Sequence, residues 1–235
     1  MSEKVLVITG ASKGIGRSTA SIFLQSGYKV INLSRSNPNL DNIIHISADF
    51  SDSDWPSKIK EELEGHLDSS KSISLIHSAG LLLKDSIEDV SSENFMRVLQ
   101  VNIISATQLN QILLPFMANG SSIIYIGSTL SEKGVANSCS YVTSKHAVVG
   151  LMRSTTQDLV GKGIHTTCIC PGFTDTEMLK NHVGGSKEIL REISKGIAFN
   201  RLVNPEEIAK TLFFAAENPV LNGSIIHANL GQIEK

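Results

Sequence analysis

The sequence predicts an α/β protein built on a doubly wound parallel sheet of seven strands, with helices on both faces and the helix after the second strand missing. Three observations carry this. Seven short apolar runs recur along the chain, and most are continuous rather than alternating, as in strands covered on both faces. Helix-type segments separate them. The first run leads directly into a glycine-rich turn and then a helical pattern.

Taken in order, the first strand is read at 5–9. The turn that follows runs Gly10-Ala11-Ser12-Lys13-Gly14-Ile15-Gly16, spaced G-x-x-x-G-x-G, and opens the first helix. Glycine lets a ligand approach the backbone closely, and a helix start offers free N–H groups and positive dipole, so this unit suits a nucleotide pyrophosphate. Further strands are read at 29–34, 43–48, 73–78, 122–127, 165–170 and 224–228. Between Arg35 and Asp49 stands Ser36-Asn37-Pro38-Asn39-Leu40-Asp41-Asn42, which is turn chemistry, so the second helix is read as deleted. Ser53 or Asp54 caps a helix carrying Pro56, Ser91 caps a long one running towards Met117, and 139–161 reads as another. Asn204-Pro205-Glu206-Glu207 is a capped start with proline first and acid in the first turn. No repeat, low-complexity tract or linker intervenes, so the 235 residues are read as one domain.

Composition narrows the function. Hydrophobic residues make up 41% and charged residues 19%, which is globular. A net charge of −2 leaves no basic stripe for nucleic acid. No apolar run approaches the ~18 residues of a membrane span. Met1-Ser2-Glu3-Lys4 enters the first strand directly, so no signal peptide is expected. Three cysteines, two of them in Cys168-Ile169-Cys170, make no disulfide framework, and a cytoplasmic location is expected. Seven histidines lack ligand spacing, so no metal is expected.

Tyr141 and Lys145 stand at i and i+4, on one face of a helix. A phenol is a poor base at neutral pH. An ammonium about 4 Å from its oxygen favours the phenolate by about 4 kcal/mol at an effective dielectric near ~20. Such a pair suits proton transfer.

The motifs T-G-A-S-K-G-I-G at 9–16, A-D-F at 48–50, H-S-A-G at 77–80, V-N at 101–102, I-G-S at 126–128, Y-V-T-S-K at 141–145 and P-G-F-T-D-T at 171–176 stand in one order. In that order and spacing the chain resembles the short-chain dehydrogenase/reductase family over nearly its whole length. Within the family it looks most like the 3-oxoacyl-carrier-protein reductase type; Arg201-Leu202 and the 204–208 segment belong to that likeness. The resemblance implies a Rossmann-like fold and an oxidoreductase that moves hydride between NADP(H) and a carbonyl or alcohol. A 3-oxoacyl thioester is the first substrate class implied. Another small carbonyl, cyclic alcohol or sugar is the alternative, and a non-catalytic dinucleotide sensor is a third reading.

The resemblance also assigns roles. Ser128 would hydrogen-bond the substrate carbonyl, Tyr141 would transfer the proton, and Lys145 would assist Tyr141 and hold the nicotinamide ribose. Asn102 either holds a water that feeds protons to Lys145 or is a solvent-facing helix residue. The dinucleotide would rest on Gly10, Ser12, Lys13, Gly14, Ile15 and Gly16, on Ser34 and Arg35, and on Asp49, Phe50, Ala79 and Gly80. Tyr141, Lys145, Pro171, Gly172, Thr174 and Thr176 would complete that site. Asp49 falls where the adenine amino group binds, or is a turn residue after a strand. Neutral Ser34 stands where an acid would select NAD, and Arg35 with Lys13 would meet a 2′-phosphate; each cation alone reads equally as a solvated surface charge.

A homo-oligomer, dimer or tetramer, is implied through the 139–161 helix and the last helix and strand. Val148, Val149, Leu151 and Met152 exceed what one core-facing stripe needs. Substrate choice is expected in 178–198, where Gly184-Gly185 suggests a mobile lid. Two departures stand out: His77-Ser78-Ala79-Gly80 replaces N-N-A-G, and Asn229-Leu230-Gly231-Gln232 replaces Asp-Gly-Gly. Trp55 reads as a packing residue, His77 and His146 as buried or rim histidines, and Asp158 and Glu177 as surface acids. Cys139 is either oxidisable or a small packed residue beside the site.

Overall fold

The computed structural model describes residues 4–68 and 71–232, so Met1-Ser2-Glu3 of the N-terminal reading lies outside the described residues. The strands are β1 Val5–Thr9, β2 Lys29–Ser34, β3 Ile43–Ser47, β4 Ile73–His77, β5 Ser122–Ile126, β6 His165–Pro171 and β7 Ser224–Ala228. They form one sheet in the order β3-β2-β1-β4-β5-β6-β7, with every neighbouring pair parallel. The order reverses between β1 and β4, and such a switch point opens a crevice at the carboxyl ends of the strands.

The helices are α1 Gly14–Gln25, α2 Trp55–Glu64, α3 Ser92–Leu99, α4 Ser105–Leu113, α5 Cys139–Asp158, α6 Glu177–His182, α7 Lys187–Lys195 and α8 Pro205–Glu217. β1 shows how the layers are held. Val5 and Val7 pack on one face with Leu63 of α2, Leu109 of α4 and Met152 of α5. Leu6 and Ile8 pack on the other with Phe23 of α1 and Leu212 of α8. A two-residue period therefore feeds two cores, so the strands are apolar throughout.

The expected strands appear within a residue of their expected ends; the helices differ more. The long helix after Ser91 is divided. Ser91 caps α3 by accepting from the Asn94 N–H, but 100–104 forms a π turn in which the Ser105 N–H bonds back to the Gln100 carbonyl. A single 3₁₀ turn at 114–116, carrying Pro115, ends the segment. The 139–161 helix stops at Asp158, because Gly161 and Gly163 take left-handed φ values of +80° and +68°. No helix forms at 35–42; Asn39 and Asn42 adopt positive φ, and Arg17 Nε pins the loop by donating to the Pro38 carbonyl at 3.1 Å. Asp54 occupies the cap position of α2, yet its carboxylate accepts from the Ser57 hydroxyl rather than a backbone N–H. Trp55 is buried and donates from Nε1 to Gln108 at 2.9 Å.

The apolar surplus read on α5 is corrected: Val148, Val149 and Met152 lie inside the protomer's own core, and Leu151 packs against it. α5 crosses close enough to the sheet to bury a wider arc than one stripe. Among the described residues, no helix is long and apolar enough to cross a membrane, and no group of His, Cys, Asp or Glu could hold a metal ion.

Candidate active site

The glycine turn is shaped by contacts that leave no room for side chains. A Cβ on Gly10, whose φ is +72°, would stand 2.8 Å from Ala79 Cα, and one on Gly16 would stand 2.4 Å from the Gly10 carbonyl oxygen. Two buried polar groups hold the turn. The Thr9 hydroxyl oxygen accepts from the N–H groups of Ser78 and Ala79 at 3.0 and 2.9 Å, joining β1 to the loop after β4. Asn32 Oδ1 accepts from the Ala11 N–H at 3.0 Å, and Asn32 Nδ2 donates to Ser34 Oγ and His45 Nδ1. Asn32 was not singled out in the sequence. Its signal was a polar residue inside the apolar run of β2, which only a partner could justify.

Ser128 follows β5 in extended backbone, and its Oγ accepts from the Leu130 N–H at 3.1 Å. That bond uses the oxygen and leaves the hydroxyl proton free to donate into the cleft. Tyr141 and Lys145 share a face of α5, with Lys145 Nζ 5.5 Å from the Tyr141 ring centroid. Lys145 is buried, and its ammonium donates to the Ile126 carbonyl at 2.7 Å, which fixes the charge at the end of β5. The start of α5 is set from outside the helix. Asp85 accepts from the Ser140 N–H at 3.0 Å and from the Ser140 hydroxyl, acting as the cap that Ser138 does not provide. This long-range contact has no local sequence signal.

One cleft of ≈ 1060 Å³ is lined by Ser128, Tyr141 and Lys145, and by Gly10, Ser12, Lys13, Gly14, Ile15 and Gly16. Ser34, Arg35, Asp49, Phe50, Ala79, Gly80, Pro171, Gly172, Thr174 and Thr176 line it too. Of the sequence-predicted site residues Asn102 alone is absent from this lining. It is buried, so the solvent-facing alternative is excluded. Asn102 Nδ2 donates to the Leu81 carbonyl at 3.0 Å and to Ser144 Oγ at 2.8 Å, while Oδ1 accepts from the Leu81 N–H at 2.7 Å. Both amide hydrogens are engaged in tying the 81 loop to α5. Asn102 also borders a chamber of ≈ 10 Å³ shared with Lys145, His77, Ser105 and Tyr125, at the lower limit for one water.

The short-chain dehydrogenase family model matches residues 4–186. The chain belongs to this family. An uncharacterized oxidoreductase of Thermotoga maritima is 32% identical, over 97% of this chain and 96% of its own. A 3-oxoacyl-[acyl-carrier-protein] reductase of the same organism is 27% identical, over 98% of each. The ligand-free aldohexose dehydrogenase of Thermoplasma acidophilum superposes with a TM-score of 0.89 at 29% identity, covering 98% of this chain and 94% of its own. Short-chain dehydrogenases use nicotinamide dinucleotides, and the cradle fits one: Gly10 and Gly16 exclude a Cβ where backbone must be approached closely.

Where the family pattern reads N-N-A-G, this chain places His77. Its Nε2 meets Asn110 Oδ1 at 2.8 Å and its ring stacks on Tyr125 at 5.0 Å, linking β4 to α4 and β5. Burial lowers its pKa to about 4, against the smaller opposing effect of the Asn110 hydrogen bond. At the C-terminus, Asn229 packs where a Cβ on Gly172 would stand, 2.7 Å from Asn229 Cβ.

Three residues at the adenine end are already engaged within the protein. The buried Ser34 hydroxyl accepts from Asn32 and donates to the Ser36 carbonyl at 2.8 Å, so its proton is already engaged. Lys13 pairs at 2.5 Å with Glu177, an exposed surface acid as expected, and the pair spans from the glycine turn to α6. Asp49 Oδ1 accepts from the Ser51 N–H and hydroxyl, as the turn reading expects. Burial opposes ionisation of Asp49, yet those bonds and the nearby Arg35 and Arg97 hold its carboxyl below the usual range. Arg97, in the last turn of α3, also lines the cleft and was not foreseen.

Proposed function

We propose that this chain is an NADP(H)-dependent carbonyl reductase, with a 3-oxoacyl thioester as the first substrate class and another small carbonyl as the second. The observation that carries the reading is the meeting of Ser128, Tyr141 and Lys145 in the same cleft as the glycine turn. A pure dinucleotide sensor has no use for that trio.

The turn at 10–16, Lys145 and the 171–176 segment would hold the dinucleotide, and a reduced nicotinamide supplies hydride when bound. The chain does the rest. The Ser128 proton, left free by the Leu130 contact, donates to the substrate carbonyl oxygen and orients it. Tyr141 gives its phenolic proton to that oxygen as negative charge develops there. Lys145, fixed on the Ile126 carbonyl, stabilises the phenolate left behind and keeps two N–H donors for the ribose. The result is an alcohol, and reversal of each step oxidises one.

NADP(H) over NAD(H) rests on Arg35, which lines the cleft and whose charge also acts on Asp49, and on the missing acid at Ser34. Lys13 can add to this only by leaving Glu177, and an exposed pair of this kind resists exchange weakly. One charge-assisted contact to a 2′-phosphate is worth about 2 kcal/mol, or about 30-fold in kcat/KM. The test compares both cofactors for wild type and for Ser34→Asp with Arg35→Ala. Equal use by wild type, or an NADPH preference that survives the double change, would sink the assignment. A homo-oligomer is proposed through α8 and the open edge of β7, supported by the exposed Phe214 on α8. Three free cysteines support the cytoplasmic expectation.

A further inference from the structure

α7 is amphipathic, yet the protomer covers its apolar side only in part. Lys187, Glu188, Arg191, Glu192 and Lys195 are exposed, while Ile189 and Ile193 stand one turn apart on a shared face. Such a stripe ordinarily buries in a core, but no residue of α7 is buried, and Ile189 remains 46% exposed. Both isoleucines line the cleft that contains Ser128 and Tyr141. Met178 and Val183 extend the same wall, and Leu82 and Val135, from the loops after β4 and β5, line that cleft as well. Among exposed large apolar side chains, Val135, Phe173, Met178 and Ile189 thus gather on one cleft. The joint between α6 and α7 is Gly184-Gly185, both at positive φ and with open space around them, so α7 can settle on occupants of different thickness.

We infer that this wall seats an unbranched apolar chain attached to the reacting carbonyl carbon. The inference rests on the carbonyl-reductase reading and narrows its substrate to aliphatic ketones and carbonyl compounds with aliphatic tails. Continuity with Ser128 and Tyr141 identifies the occupant: a chain lying on Ile189 and Ile193 belongs to a molecule whose polar end reaches the catalytic hydroxyls. A polyol gains less from Ile189 and Ile193, because hydroxyls laid on those side chains leave water without a partner there.

The test has two arms. In the first, NADPH-dependent reduction of a homologous series of straight-chain methyl ketones is compared with reduction of butanedione and oxidation of an aldohexose. kcat/KM should rise about fourfold per methylene until the chain outgrows the wall. Ile189→Asn with Ile193→Asn should flatten that rise. In the second arm, which needs no turnover, straight-chain secondary alcohols should displace an anilinonaphthalene sulfonate probe with affinity that climbs with length in wild type and not in the double variant. Displacement that climbs without any carbonyl being reduced would overturn the reductase reading while leaving the apolar site standing. Reduction of butanedione without a length dependence, a better kcat/KM with the aldohexose, or displacement indifferent to length would overturn the inference. So would an α7 stripe that a second copy of the chain covers, seen as displacement lost at high protein concentration.

Discussion

Acid should destabilise this protein through His77, and the size of the effect follows from its surroundings. The imidazole is buried between Tyr125 and Asn110, and burial lowers its pKa from 6.5 to about 4. For a base with a depressed folded-state value, the unfolded chain binds the proton more readily. Stability is therefore intact above the unfolded value of 6.5 and is lost as pH falls towards the folded value. Integrating that difference from about pH 7.5 to about pH 5 gives a loss of about 2 kcal/mol, approaching about 3 kcal/mol once both states are protonated. His77→Asn removes the titrating group and restores an amide where the family carries one. Urea unfolding, followed by the fluorescence of the single, buried Trp55 at fixed protein concentration, reads both variants at both pH values. Wild type should lose about 2 kcal/mol more than His77→Asn over the interval. Equal losses would show that the histidine carries no such linkage, whatever the variant does to stability at neutral pH.

Tyr141→Phe should lower kcat by at least about a hundredfold and leave dinucleotide affinity nearly intact, whereas Lys145→Ala should damage both; a Tyr141→Phe enzyme keeping more than about a tenth of wild-type kcat would remove the proton-transfer role. Gly10→Ala should weaken dinucleotide binding about tenfold or more, because its Cβ meets Ala79 backbone, while Gly14→Ala, whose Cβ meets only the Thr176 methyl at 3.3 Å, should weaken it less; fluorescence titration ranks the two. Asn204→Ala should cost about 1 kcal/mol in urea unfolding, because Asn204 Oδ1 accepts from the Glu206 N–H at the start of α8 while the Glu207 carboxylate accepts from the Asn204 N–H. Light scattering at micromolar concentration should give a mass above one protomer, and a monomer would remove the α8–β7 interface.

Strands were legible because a parallel sheet covered on both faces writes itself as continuous apolar runs, and β1 to β7 fall within a residue of their expected ends. The glycine turn, the Tyr141–Lys145 face and the absent helix after β2 were local features, and local spacing exposes them. What escaped depends on contacts between distant segments. Asp85 caps a helix more than fifty residues later, which no window of sequence shows. The π turn at 100–104 carries no composition signal of its own; its partners, Leu81 and Ser144, come from other loops and helices. Charge direction was equally hidden. Lys13 and Glu177 lie far apart in sequence and meet across the cleft, and the Ser34 oxygen turned inward because Asn32 Nδ2 was there to donate to it. The apolar excess on α5 misled for a related reason: counting a stripe assumes one contact surface, and α5 packs against more than one.

The hydroxyl of Thr9, bonded to two consecutive N–H groups beyond β4, fastens the glycine turn to the strand next to the one that carries Ser128. The parts that determine where hydride and proton arrive are thereby rooted in the central strands and shift together or not at all. α6 and α7 lie outside the sheet, held by the bridges Thr174–Val203 and Ile197–Gln232 and by the exposed Lys13–Glu177 pair, and jointed at two glycines. Substitutions there can recut the cavity wall while the reacting atoms keep their registry. A chain organised this way can drift from one substrate to another without passing through an inactive ancestor, since the chemistry and the choice of molecule are inherited on separate pieces of backbone.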